Sequence, residues 1–181
     1  MDKMIKTSLF LAVILTTLLF NQPAYAGGAS IEAKQRANEV AMLITHPGMT
    51  DYEKAVAVHD WLCANCQGNL LSVETGRYLA SDHSADGPLL YGISVCEGYA
   101  EAFRVFMDIL GIKNMRVNGY ADGTYHAWNS VYIDGQWLEV DVTYDDPIFV
   151  GCEDPGGVYS RQYCLISSTL MALDHYATSY F

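Results

Sequence analysis

The chain has 181 residues, 51% of them hydrophobic, and a net charge of −11. With 10 Lys and Arg against 21 Asp and Glu, and no basic cluster, it is a poor match for nucleic acid or an anionic membrane surface. Its length fits one domain.

Residues 1–26 read as an export signal to be removed. Lys3 and Lys6 form a basic head, Leu9 to Phe20 an apolar run, and Ala24-Tyr25-Ala26 a small-x-small cleavage site. The run is short for a membrane span, no second one follows, and no cysteine at the cleavage point suggests a lipid anchor. The expectation is a secreted or periplasmic domain over 27–181, free of the membrane after cleavage. Loss of Lys3, Lys6 and Asp2 takes its charge to −12, and such acidity keeps an exported protein soluble.

The elements predict an α+β fold. Ser30 to Thr45 has helical spacing and stops at Pro47-Gly48. Thr50 with Glu53 forms a capping box that starts a second helix through Ala55, Val58, Trp61 and Leu62. Residues 65–92, rich in Gly, Ser, Asp and Asn, predict a long irregular crossing. Ser94 and Glu97 form another S-x-x-E box, so a helix is expected from Ser94, with Tyr99, Phe103, Phe106 and Leu110 at helical spacing and Gly111 ending it. The segments "MRVNGY", "YHAWNSVYI" and "QWLEVDVTY" then alternate as strands, joined by the hairpin dipeptides Asp122-Gly123 and Asp134-Gly135. A short last strand is expected over Tyr163 to Ile166.

With Ser94 as N-cap, Cys96 is the second residue of its helix. The N–H groups there lack helical acceptors, and the positive end of the helix dipole favours a thiolate and an oxyanion. A two-residue turn at Asp134-Gly135 makes opposed residues of the hairpin sum to 269. His126, Trp128, Asp141 and Thr143 then share one face, with His126 and Asp141 as diagonal neighbours. Ala127, Val131, Ile133, Leu138, Val140 and Val142 fall on the other, as a core surface. Cysteine, histidine and aspartate are the nucleophile, base and orienter of thiol catalysis.

"VCEGYAEAF", "HAWN" and "VDVTYDDP", in that order, resemble the transglutaminase-like superfamily of papain-type cysteine enzymes, particularly its bacterial secreted members. The resemblance runs from about Ala55 ("KAVAVHDWL") to His175 ("LISSTLMALDH"). It implies a catalytic triad of Cys96, His126 and Asp141, and a nucleophile helix packed on an antiparallel sheet. One departure is Tyr144, where the family suggests tryptophan. Tyr99 and Trp128, next to triad members in the chain, are candidates to line the substrate cleft.

If Cys96 reacts, Cys63, Cys66, Cys152 and Cys164 remain to form two disulfides in an oxidising compartment, with three pairings open. A redox CxxC at Cys63 to Cys66 and a four-cysteine zinc site fit less well. Asp145, Asp146, Glu153 and Asp154 lack the spacing of a calcium loop and are expected as solvated surface. His46, His59, His83 and His175 are expected to be structural or exposed. The chemistry expected is thioester formation from a glutamine or peptide amide of a protein or peptide substrate, resolved by an amine or by water, with no cofactor and no metal. A non-catalytic binding module retaining the fold, and acyl transfer to an arylamine, are the competing readings.

Overall fold

The computed structural model describes residues 28–146 and 158–181. The export segment predicted over 1–26, and Cys152, Glu153 and Asp154, lie outside them.

Two helices open the described chain. Helix α1 (Ile31–Ile44) starts where the Ser30 side chain accepts the Ala33 N–H. Helix α2 (Asp51–Asn65) has the full Thr50/Glu53 box: Glu53 N–H donates to Thr50 Oγ1 at 3.2 Å, and Thr50 N–H to Glu53 Oε2 at 2.8 Å. The crossing is more ordered than its composition suggests. Strand β1 (Gln67–Gly68), helix α3 (Leu70–Thr75), a 3-10 turn at Ala80–His83 and a wide turn at Gly87–Tyr91 lead to strand β2 (Ile93–Ser94), which pairs with β1 in parallel. Asp82 holds this segment together by accepting from Asn69, Ser72 and the Leu79 N–H.

Helix α4 (Cys96–Ile109) packs against a five-stranded antiparallel sheet. The strands are β3 (Asn114–Ala121), β4 (Thr124–Ile133), β5 (Gln136–Val140), β6 (Cys164–Ile166) and β7 (His175–Tyr180), ordered β6-β5-β4-β3-β7. The fold is thus α+β, as expected. Both Asp-Gly turns have positive φ at each residue, 47° and 78° at Asp122-Gly123 and 51° and 82° at Asp134-Gly135, the twist that closes a two-residue hairpin. The second sets the register from Ile133↔Gln136 to Asn129↔Val140, the pairing that sums to 269.

Four local expectations are corrected. Ser94 is not the cap of α4: Val95 is, and Cys96 is the first helical residue. The Ser94 hydroxyl instead donates to the Asp82 carbonyl at 2.7 Å, a contact from outside the helix that competes with capping. Strand β5 ends at Val140, because Asp141 Oδ1 accepts the Tyr144 N–H and caps a short helix α5 (Val142–Asp145). The sheet face carrying His126 and Trp128 is buried as well, beneath Met171 of helix α6 (Ser168–Met171) and Tyr163. Asp145 and Asp146 are buried, not solvated. Asp145 accepts from Ser160 Oγ, the Gln162 and Tyr163 N–H groups and His59 Nε2, and Asp146 accepts from the Tyr99 hydroxyl.

Candidate active site

Cys96 enters the cleft at the first turn of α4. The start of that helix is held tightly by Gly98: a Cβ there would lie 1.9 Å from Ser94 Oγ, 2.7 Å from the Asp82 carbonyl and 2.9 Å from that of Ser84. As the first helical residue, Cys96 has an N–H that no helical carbonyl accepts.

His126 comes from β4 and Asp141 from the loop that follows β5. His126 Nε2 donates to Asp141 Oδ2 at 2.5 Å, and the same imidazole lines the cleft together with Cys96. With Nε2 committed to the carboxylate, Nδ1 is the nitrogen left to take the thiol proton. Burial opposes a charge on His126, but the charge and hydrogen bond of Asp141, with the Cys96 contact, outweigh it and raise its pKa to about 10. Burial likewise works against the Asp141 carboxylate, and His126 and His175 overcome it, holding its pKa down to about 2.

His175, expected to be structural or exposed, joins this group. Its Nε2 lies 3.0 Å from Asp141 Oδ2 and its Nδ1 2.5 Å from Asp174 Oδ1. The side chain is fully enclosed. Sequence reasoning missed it because its partner Asp141 is 34 residues away and no hairpin ties the two strands. Its only signal was the family-like "LDH".

Tyr99 and Trp128 do not line the cleft. They are 1% and 2% exposed, and each spends its polar atom inside the protein, Tyr99 on Asp146 and Trp128 Nε1 on Glu139 Oε2 at 2.9 Å. Both sit on buried faces of their elements, which chain proximity to Cys96 and His126 does not reveal. The cleft, about 360 Å³, is instead walled by Leu70, Val73, Tyr78, Tyr125 and Tyr144 around Cys96 and His126. Among the described residues lining it, Glu97 and Asp122 are acidic and none is Lys or Arg; Glu97 pairs with His83. A wider hollow of about 970 Å³ between residues 28–30 and 79–93 holds neither cysteine nor histidine. It offers no comparable chemistry.

His126, Asp141 and His175 each offer a ligand atom within 4.8 Å of the others. A tetrahedral ion with bonds near 2.0 Å would hold such atoms about 3.3 Å apart. The 2.5 and 3.0 Å separations from Asp141 Oδ2 are those of shared protons, so the cluster is a hydrogen-bond network.

The two expected disulfides are not formed. Two bridges among Cys63, Cys66, Cys152 and Cys164 would require one within Cys63, Cys66 and Cys164, and all three are free and buried. Their sulfurs face other partners. Cys63 donates to the Val142 carbonyl and contacts His59 Nε2, both at 3.8 Å, and Cys66 donates to the Gln67 carbonyl. Burial pushes the Cys63 thiol up, and that of Cys66 up to about 12.

Known proteins share this architecture or sequence. The human kyphoscoliosis peptidase is 25% identical over 164 residues, 82% of this chain, which spans about a quarter (24%) of that relative's length. A proposed cysteine protease from Cytophaga hutchinsonii superposes with a TM-score of 0.52 at 22% identity, over 66% of this chain and 40% of its own. A crystallised TGase superposes with a TM-score of 0.55 at 14% identity, over 84% of this chain and 42% of its own. The sequence model of the transglutaminase-like superfamily core matches residues 38–142, more than half the chain and the stretch that holds Cys96, His126 and Asp141. The chain therefore belongs to the transglutaminase-like superfamily.

Proposed function

We propose that this protein is an exported thiol enzyme that forms a thioester at Cys96 from a glutamine or peptide amide and passes the acyl group to water or to an amine. The observation that carries this is the convergence on one cleft of Cys96, at a helix start, and an imidazole whose Nε2 is held 2.5 Å from a buried carboxylate. His126 Nδ1 takes the thiol proton as the sulfur attacks the amide carbon. The Cys96 N–H steadies the oxyanion, and His126 returns the proton to the departing ammonia or amine, leaving the thioester. Asp141 supports the imidazolium throughout. Water or a primary amine then attacks the thioester carbon, gives its proton to His126, and expels the Cys96 sulfur.

The cleft suits a polypeptide. It is open, apolar and tyrosine-lined, and its carboxylates Glu97 and Asp122 favour a neutral or basic segment over an acidic one. Relatives described as a peptidase and a proposed cysteine protease support hydrolysis as the main outcome.

The test is incubation of a glutamine-containing protein and a fluorescent primary amine with the protein and with Cys96→Ala. New termini or ammonia without label supports hydrolysis, and label incorporation supports transfer. Equal product from Cys96→Ala, or none from either, overturns the assignment.

A further inference from the structure

The Asp141 carboxylate serves two imidazoles, which a three-residue triad does not require. Oδ2 accepts from His126 Nε2 at 2.5 Å and from His175 Nε2 at 3.0 Å, while Oδ1 accepts the Tyr144 N–H at 3.1 Å. The other nitrogen of His175 is also aimed at an oxygen of a carboxylate, Asp174 Oδ1 at 2.5 Å, and the second oxygen of Asp174 accepts the Tyr163 hydroxyl at 2.6 Å.

This pattern fixes the charge of His175. A neutral imidazole has one N–H and one bare nitrogen, and a bare nitrogen 2.5 or 3.0 Å from a carboxylate oxygen sets two lone pairs against each other. Despite burial, Asp141 and Asp174 are both held below the usual carboxylate range by their hydrogen-bond partners, and against two ionised carboxylates only the imidazolium satisfies both contacts. Its surroundings suit a buried cation: the rings of Tyr144, Trp128 and Tyr163 lie 4.8, 5.1 and 5.4 Å away, and Asp141 and Asp174 supply the counter-charge. Burial opposes the charge, and the two carboxylates reverse that and raise the pKa of His175. A residue needed only for packing would not have both nitrogens matched.

We propose that His175 is a permanently charged fourth member of the Cys96–His126–Asp141 network, a positioning residue that fixes Asp141 and keeps His126 from holding its proton too tightly. The functional consequence rests on the acyl-transfer reading of Cys96. A general acid serves best when its pKa is near the working pH, and an unopposed carboxylate would make His126 a reluctant donor to the leaving group. The ring centres of His126 and His175 are 5.7 Å apart. Two like charges at that separation, in surroundings of effective dielectric about 20, displace a pKa by about two units, and Asp141 between them reduces this to about one. The other groups facing the pair are Cys96 from α4, Tyr144 with Asp122 at its hydroxyl, Tyr163 with Asp174, and Glu139 behind Trp128.

The experiment follows protonation of His126 by ring-nitrogen NMR in 15N-histidine-labelled protein, alongside the pH dependence of Cys96 alkylation by iodoacetamide. His175→Gln keeps a neutral donor for Asp141 and removes the charge. The expected result is an upward move of about one unit in the alkaline step at which His126 loses its proton. A step that stays or falls in His175→Gln overturns the proposal, since loss of mere structural support for Asp141 weakens the base. Should the variant not fold, the wild-type spectrum decides: both His175 nitrogens protonated at pH 8 support the proposal, and one bare nitrogen refutes it. A wild-type Cys96 that alkylates as an isolated thiol would instead sink the acyl-transfer reading, leaving the His175 spectrum to be judged separately.

Discussion

Replacing Gly98 by alanine tests whether the position of Cys96 depends on the fit at the helix start. The new Cβ would meet Ser94 Oγ at 1.9 Å and the carbonyls of Asp82 and Ser84 at 2.7 and 2.9 Å. The hydroxyl is itself bonded to the Asp82 carbonyl, and the other two atoms are backbone, so none can swing aside alone. Overpacking of this kind costs about 1–3 kcal/mol. Alanine recovers up to about 1 kcal/mol of helix preference over glycine. With two of three contacts made to backbone the upper part of the range applies, a net loss of about 2 kcal/mol, or about 4–8 °C in Tm for a domain of this size. The larger effect is on reactivity. Relief requires α4 to move away from the 81–84 turn, carrying Cys96 with it, and a shift of about 1 Å can cost about 100-fold. The assay pairs thermal unfolding by circular dichroism with the rate of Cys96 alkylation at pH 6. A variant with wild-type Tm and alkylation rate would show that the helix start is looser than these contacts require.

Four further outcomes are expected. Asp141→Asn removes the charge that raises His126, so Cys96 alkylation at pH 6 slows at least about tenfold and amide turnover falls further, as measured by mass spectrometry and product release. In the wild type, Asp141 is held below its unfolded value, so its contribution is present above the unfolded pKa of 3.8 and is lost as pH falls through about 2; a urea midpoint that does not fall between pH 4 and 2 contradicts this, and Asp141→Asn should flatten the slope. His59, fully buried, has Nδ1 3.1 Å from Asp60 and Nε2 3.1 Å from Asp145, and its pKa is raised; its stabilisation is full below pH 6.5 and declines as pH rises above that, and His59→Gln, which removes the counter-charge of buried Asp145, should cost about 3–5 kcal/mol by urea unfolding. Brief alkylation of native protein followed by peptide mapping should label Cys96 before Cys63, Cys66 and Cys164, which react only on denaturation because they are buried.

What the sequence revealed was local. Asp134-Gly135 set the β4–β5 register because a two-residue turn leaves no freedom in pairing, and Thr50 with Glu53 capped α2 because both partners lie within one turn. The same logic failed at Ser94, whose hydroxyl found the Asp82 carbonyl 12 residues away before it could cap α4. It failed again at Asp141, where alternation through "VDVTY" predicted a continuing strand but the carboxylate's bond to the Tyr144 N–H turned the chain. That turn lets one Asp141 oxygen cap α5 while the other serves His126. The cysteine count misled because an odd number says how many thiols can pair, not which have Val142, Gln67 or His59 as nearer partners. His59 and His175 were invisible for one reason: the carboxylates that complete them, Asp145 and Asp141, lie 86 and 34 residues away.

Strand β7 sits at the margin of the sheet and follows all its other strands in the chain, yet it delivers the imidazole that completes the Asp141 network. A nascent chain therefore carries the sulfur long before the carboxylate has its second partner. Until the C-terminal strand docks, Asp141 lacks its second imidazole, so the hydrogen-bond network around it closes only when the last strand of the sheet is in place.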